Sequence, residues 1–147
     1  PGPHAAEMQA RGFAVTAWDA SPDFVAAARQ RGVDAHERIF DDLTAQDAYD
    51  AVWASFSLVH APRADLPRHL AAIARALQPG GHLFLGMKLG EGEHRDALGR
   101  FYAYFTEEEL RAHLAEAGFT VLDAVTSSGK GLAGTEDPFI LITAQHA

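Results

Sequence analysis

Asp19 follows Gly2 by 17 residues in the stretch PGPHAAEMQARGFAVTAWD, and a short helical run, a glycine break and an apolar run lie between them. A glycine that lets the backbone approach a ligand, and a carboxylate that accepts hydroxyl protons, are held about 20 residues apart where one helix and one strand separate them. That spacing serves nucleotide cofactors in doubly wound α/β folds. Gly2 can be only the last glycine of a G-x-G-x-G pattern. No strand pattern precedes it, so the first half of the motif is expected upstream of residue 1. Each signal is weak alone, because Asp is common at strand-end turns and one glycine before a helix is ordinary.

A second concentration of chemistry lies between Lys88 and Tyr104, which gathers Lys88, His94, Arg95, Arg100, Tyr102 and Tyr104. It reads as a long polar loop between a strand end and a helix. Arg95, with Lys88 or Arg100, is expected to draw in a small anionic substrate, and Lys130 in the GKG loop to add to that rim. His60 follows a strand end, where α/β sheets bind ligands. The chain has eight His, but H-E-x-x-H is absent and no close pair has a third ligand at a typical spacing, so no metal is expected. Trp53, inside an apolar strand, is expected in the core.

Alternating elements must position these residues. Residues 3–11 predict a helix stopped by Gly12, and residues 13–18 a strand. Ser21-Pro22 opens a second helix, with Ser as N-cap and Pro where its missing N–H costs nothing. Phe24, Val25 and Ala28 supply its buried side, and Gly32 ends it. A short strand is expected near residues 33–40, and a strand buried on both faces at 51–56. Leu66, Leu70, Ile73 and Leu77 recur on one helical face, before Pro79-Gly80-Gly81 turns into the strand HLFLGM. Thr106 to Glu109 is a capping box whose glutamates suit the helix macrodipole. The helix it opens carries Leu110 and Leu114 inward and stops at Gly118. Residues 119–125 and 138–143 read as an antiparallel strand pair, since no helical pattern lies between them. The fold class is therefore α/β, Rossmann-like. It has a mostly parallel sheet with helices on both faces and an antiparallel C-terminal strand pair. Residues 1–147 read as a single domain.

Composition narrows the partners. The chain is 48% apolar with a net charge of −8, which argues against a nucleic-acid backbone as the main partner. Its apolar runs are far shorter than the roughly 20 residues that span a bilayer. The absence of cysteine excludes disulfides and thiolate nucleophiles.

The pieces PGPHA, VTAWDAS, FDDL, YDAVWASFSLVHAPR, LPRHLAAIARALQPGGHLFLGMK and GEGEHRDALGRFYAYFTEEELRAHLAEAGF, with the closing two-strand unit, cover essentially the whole chain. Together they resemble a class I S-adenosylmethionine-dependent methyltransferase. The GEGEHRDALGRFYAYFTEEEL block is similar to the small tellurite-resistance-like group. The resemblance implies S-adenosyl-L-methionine as cofactor, a small-molecule acceptor, no nucleic-acid or membrane partner, and a cytoplasmic setting. By position, Gly2 would lie under the methionine part of the cofactor, and Asp19 would accept from both ribose hydroxyls, with Ala20 beside it. Phe40 and Asp41 would lie along the adenine. Ala54 and Ser55 would sit below the sulfonium, and Ser57, Leu58 and His60 would line the route to the acceptor. His60, Tyr102 and Tyr104 are the general-base candidates for an oxygen or nitrogen acceptor; a thiol, selenium or tellurium acceptor needs none. Two departures stand out. Ile39 occupies a position that often holds an adenine-contacting Asp, which leaves Asp41, Asp42 or the backbone for that contact. The family's central first strand is missing, so a chain starting at Pro1 is expected to have a gap in its sheet. A fragment of an NAD(P)-binding oxidoreductase, and a non-catalytic binding module without its cofactor loop, are the alternatives.

Overall fold

The computed structural model describes residues 3–130 and 136–147, and the chain divides into two compact units, 1–43 and 44–147. In the first unit, α1 (Pro3–Ala10) is followed by β1 (Thr16–Asp19), α2 (Pro22–Gln30), β2 (Asp34–Glu37) and a 3-10 turn at Phe40–Asp42. β1 is shorter than the expected strand because Phe13 belongs to the helix end. Its N–H donates to Met8 O at 3.1 Å and that of Gly12 to Gln9 O at 3.0 Å, the closing pattern of a glycine-stopped helix. Ser21 caps α2, its Oγ accepting from the Phe24 N–H at 3.4 Å. Val25 and Ala28 point inward and join Ala5, Val33 and Ala35 in a core of small residues. Phe24, expected on that face, is 48% exposed. Its side chain does not enter this small-residue core. β1 and β2 run parallel, from Thr16↔Asp34 to Asp19↔Glu37.

The second unit contains β3 (Tyr49–Ser55), 3-10 turns at Leu58–His60 and Arg63–Asp65, α3 (Leu66–Ala76), β4 (Leu77–Lys88), β5 (Glu93–Arg95), β6 (Phe101–Ala103), α4 (Glu107–Glu116), β7 (Phe119–Lys130) and β8 (Glu136–His146). Its sheet has the order β3-β4-β8-β7. β3 and β4 are parallel, while β8 is antiparallel to both β4 and β7. The closing antiparallel pair is thus as expected.

Leu66, Leu70 and Ile73 form the buried face of α3, while Leu77, expected on that face, is buried as the first residue of β4, and α3 and α4 pack on one another and on the sheet. Leu83, Leu85 and Met87 of β4 and Ile140, Ile142 and Ala144 of β8 are buried too. Each large member contributes about 1.5–3 kcal/mol through its burial. Strand β3 departs from the expectation of burial on both faces. Ala54 is 2% exposed, but Trp53 is 50% exposed. Trp53 pairs in register with Phe84, on the opposite side of the pleat from Leu83 and Leu85, and is not core.

The Pro79-Gly80-Gly81 turn lies inside β4 instead of before it. Leu77 already pairs with Tyr49, the next pair is Ala51↔His82, and residues 78–81 bulge between them. A Cβ on Gly81 would stand 2.9 Å from Gln78 O and 3.1 Å from Asp50 O, so only glycine lets the strand rejoin.

Phe105, just ahead of α4, is 1% exposed and meets the His113 ring edge-on at 6.0 Å. Phe105→Ala is expected to cost about 3–5 kcal/mol by opening a cavity, measured by urea unfolding. Phe13, 65% exposed, should cost under about 0.5 kcal/mol on the same change. Equal losses at the two positions would contradict this packing.

Candidate functional site

The β1–α2 junction presents Asp19. Its Oδ1 accepts from the Ser21 N–H at 2.8 Å, a side-chain turn that fixes the carboxylate at the strand end. Among the described residues, nothing donates to its Oδ2. Asp19 also borders a small depression lined by Ala17, Trp18, Phe24, Val25, Ala28 and Ala35. Ala20 is exposed in the bend that follows. In the 3-10 turn after β2, Phe40 is half-buried and Asp41 exposed. Asp42 is committed to the turn, its Oδ2 accepting from the Ile39 N–H at 2.9 Å. Gly2 lies outside the described residues.

In the second unit, Ala54 and Ser55 end β3 opposite Leu85 and Gly86. Phe56 then turns the chain with φ 55°, an outlier for a bulky residue. Its N–H donates to Gly86 O at 3.0 Å. Its ring crosses Gly86 so closely that a Cβ there would meet ring carbons at 3.1 and 3.2 Å. Strain of this kind costs of order 1–3 kcal/mol and gathers at functional sites. The sequence gives no local sign of it beyond the glycine within HLFLGM.

The turn at Leu58–His60 buries Leu58 and leaves Ser57 and His60 exposed. His60 Nδ1 lies 3.0 Å from Phe101 O. A carbonyl can only accept, so Nδ1 carries the hydrogen, and Nε2 of the neutral ring keeps its lone pair. The imidazole packs on Tyr102, centroids 4.8 Å apart.

The expected polar loop from 88 to 104 contains a hairpin. Glu93, His94 and Arg95 pair with Ala103, Tyr102 and Phe101. Asp96 organises its turn. Its Oδ1 accepts from the N–H groups of Leu98 and Arg100, each at 2.9 Å, and its Oδ2 from Arg100 Nε at 2.8 Å. The Arg100 side-chain bond is the main reason the Asp96 carboxyl sits below its ordinary range. A lowered folded pKa means that this contribution to stability is complete above the ordinary carboxylate range, near pH 4. It is lost as pH falls through the lowered value. The Arg100 Nε–H resonance should therefore stay protected above about pH 4 and lose protection on further acidification. A resonance insensitive to acid would contradict the pairing.

Two of the three cations expected to draw an anion are already paired. Lys88 meets Asp137, with its ammonium 4.9 Å from the Tyr102 ring. Arg100 pairs with Asp96, with its guanidinium carbon 5.4 Å from the Tyr102 ring centroid. Arg95 is exposed, donating to Gly99 O at 2.8 Å. The structure thus gathers His60, Lys88, Arg100, Tyr102 and Tyr104, with Tyr102 and Tyr104 centroids 6.3 Å apart. Burial, then the Asp137 charge, raises the Tyr104 phenol above its ordinary value, which disfavours it as a base near neutrality. Lys130 ends β7 opposite Glu136.

Sequence reasoning missed Asp96, Asp137 and Arg63. For Asp96 a signal existed, since D-x-x-G in DALG is a type I turn pattern. Glu109 was read as a cap, and it is one. It exchanges hydrogen bonds with Thr106 at 2.9 and 3.1 Å, and the bond from the Thr106 main-chain N–H, followed by that from Arg63, holds its carboxyl below the ordinary range. Among the described residues, no three His, Asp or Glu come together as a metal site, and no helix is long and apolar enough to cross a membrane.

Residues 1–81, more than half of the chain, match the family described as a methyltransferase domain. The chain belongs to that family. Solved structures agree on the fold of this methyltransferase-family chain. A SAM-dependent methyltransferase from Methanosarcina mazei superposes with TM-score 0.83 at 18% identity, over 97% of this chain and 86% of that one. The 1,6-didemethyltoxoflavin-N1-methyltransferase of Burkholderia thailandensis, solved with bound 1,6-didemethyltoxoflavin and S-adenosylhomocysteine, gives 0.81 at 25% identity, over 99% and 67%. The [4+2]-cyclase SpnF gives 0.75 at 25% identity, over 96% and 69%. No curated protein matches the chain. The architecture is the Rossmann-like α/β fold of class I methyltransferases.

Proposed function

We propose that the chain transfers the methyl group of S-adenosylmethionine to a small-molecule acceptor by in-line displacement at the sulfonium methyl. The observation that carries this is the family match over residues 1–81, a span that includes Asp19, Ala54 and Ser55. The residues suit the cofactor. Asp19 offers a carboxylate oxygen to a ribose diol beside an apolar depression. Phe40 and Asp41 would border the adenine, and Ala54 ends β3 with a side chain too small to obstruct a ligand. The bound cofactor supplies an activated methyl electrophile. The protein's part is to bring the acceptor in line, about 3 Å from the methyl carbon, and to exclude water.

For an acceptor with an O–H or N–H, a proton must leave, and His60 is the best-placed base of the three candidates. Its Nε2 is unprotonated in the neutral ring and the residue is exposed, whereas Tyr104 resists ionisation and Tyr102 is buried. Arg95 and Ser57 are proposed to border the acceptor. Lys88 and Arg100 act on it through their contacts with Tyr102. The GEGEHRDALGRFYAYFTEEEL block supports membership of the tellurite-resistance-like group, in a cytoplasmic setting, without making tellurite the substrate. Because a cyclase shares this fold, the deciding assay reads chemistry as well as binding. S-adenosylhomocysteine should form from S-adenosylmethionine in the presence of a small thiol, phenol or N-heterocycle. Oxidation of a reduced nicotinamide, with no S-adenosylhomocysteine binding, would favour the oxidoreductase instead.

A further inference from the structure

We infer that Arg63 is a positioning residue: it holds the β5–β6 hairpin against the segment that follows β3, and through the hairpin it fixes the tautomer of His60. The hairpin has three ladder pairs, and all three residues of β5 are exposed. A two-stranded element this short does not hold its place by itself, so ties from elsewhere decide where it sits.

Arg63 supplies three of them, beside the burial of Tyr102 and Ala103 of β6. Its main-chain N–H donates to Glu93 Oε1 of β5 at 2.8 Å. Its guanidinium donates to Tyr104 O, one residue beyond β6, and to Glu109 Oε2 at the start of α4. The same group lies 4.3 Å from the centroid of the buried Phe105 ring. Glu109 is itself anchored by the capping box, so α4 acts as a fixed post and Arg63 as the link from it to the hairpin. A rigid planar fork suits this role, because one group must reach two acceptors at once.

The consequence reaches His60, which belongs to the same segment as Arg63. Its Nδ1 keeps a hydrogen because Phe101 O of β6 faces it. If the hairpin drifts, that acceptor is lost, and an unconstrained neutral imidazole favours hydrogen on Nε2, the wrong nitrogen for a base. The positioning follows from the geometry alone; its effect on turnover rests on the methyltransferase reading.

The test uses the full chain labelled with 15N-histidine, at a pH where the ring is neutral, with the His60 signals assigned by their absence in His60→Gln. The parent should show hydrogen on Nδ1. In Arg63→Gln the Nε2–H form should become the majority, and amide exchange across residues 93–103 should rise about tenfold, the factor that ~1.4 kcal/mol of lost tethering gives. Exchange in α3 and β8 should stay near the parent's. Arg63→Lys should not restore the parent tautomer, because a point charge cannot bridge Tyr104 O and Glu109. An unchanged tautomer in Arg63→Gln, exchange rising evenly over residues 44–147, or full rescue by lysine would overturn the assignment. Glu93→Ala removes one tie and leaves the guanidinium in place. If Arg63→Gln does not fold, faster exchange confined to the hairpin in Glu93→Ala supports the proposal, and unchanged exchange sinks it. S-adenosylhomocysteine affinity, measured on the same samples, should not move, so loss of the cofactor reading and loss of this one are told apart.

Discussion

Asp19→Ala is expected to lower the affinity for S-adenosylhomocysteine by about 10²–10³-fold. A hydrogen bond to an ionised group contributes about 1.5–3 kcal/mol, and two ribose hydroxyls would donate to this carboxylate. Each 1.4 kcal/mol is tenfold in the dissociation constant. The substitution also removes the acceptor for the Ser21 N–H, so some of the loss could come from a loosened turn. Asp19→Asn separates the two effects. It keeps a side-chain oxygen for Ser21 while losing the charge and one acceptor. Calorimetry should show both variants impaired, with the melting temperature of Asp19→Asn near that of the parent. Parent-like affinity in both would remove Asp19 from the cofactor site.

His60→Gln should lower kcat by about 10²-fold for acceptors that must lose an O–H or N–H proton, the lower range for a positioned general base. Glutamine can still donate to Phe101 O, so the hairpin contact survives while the basic nitrogen is lost. A thiol that is already ionised leaves no proton to remove, and its turnover should change little. The assay is S-adenosylhomocysteine released per enzyme with a phenol and with a thiol at matched saturation. An equal fall for both would mean that His60 holds structure only.

What the sequence revealed of this chain was mostly local. Ser21 and the Thr106–Glu109 box were legible because a cap is written within four residues, and the structure shows their bonds. The α3 face was legible because helical spacing repeats, and the antiparallel C-terminal pair because no helical pattern lies between its strands. Trp53 was misread. Its apolar neighbours suggest a strand buried on both sides, but which face of a strand is covered depends on elements far away in the chain. Arg63 shows the same limit more sharply. It reaches Tyr104 and Glu109 across 41 and 46 residues of sequence, and nothing near APRAD announces it. Lys88 and Arg100 were expected to help draw in an anionic substrate. Their pairing with Asp137 and Asp96 depends on side-chain partners that composition does not specify.

The central claim is that the chain binds S-adenosylmethionine as a cofactor. The most direct measurement is a calorimetric titration of S-adenosylhomocysteine into the purified full chain, with a thermal melt of the same sample to show that it is folded. Saturable one-to-one binding that Asp19→Ala weakens is the predicted result. A folded protein that gives no binding heat and no shift in melting temperature with S-adenosylhomocysteine would contradict the account.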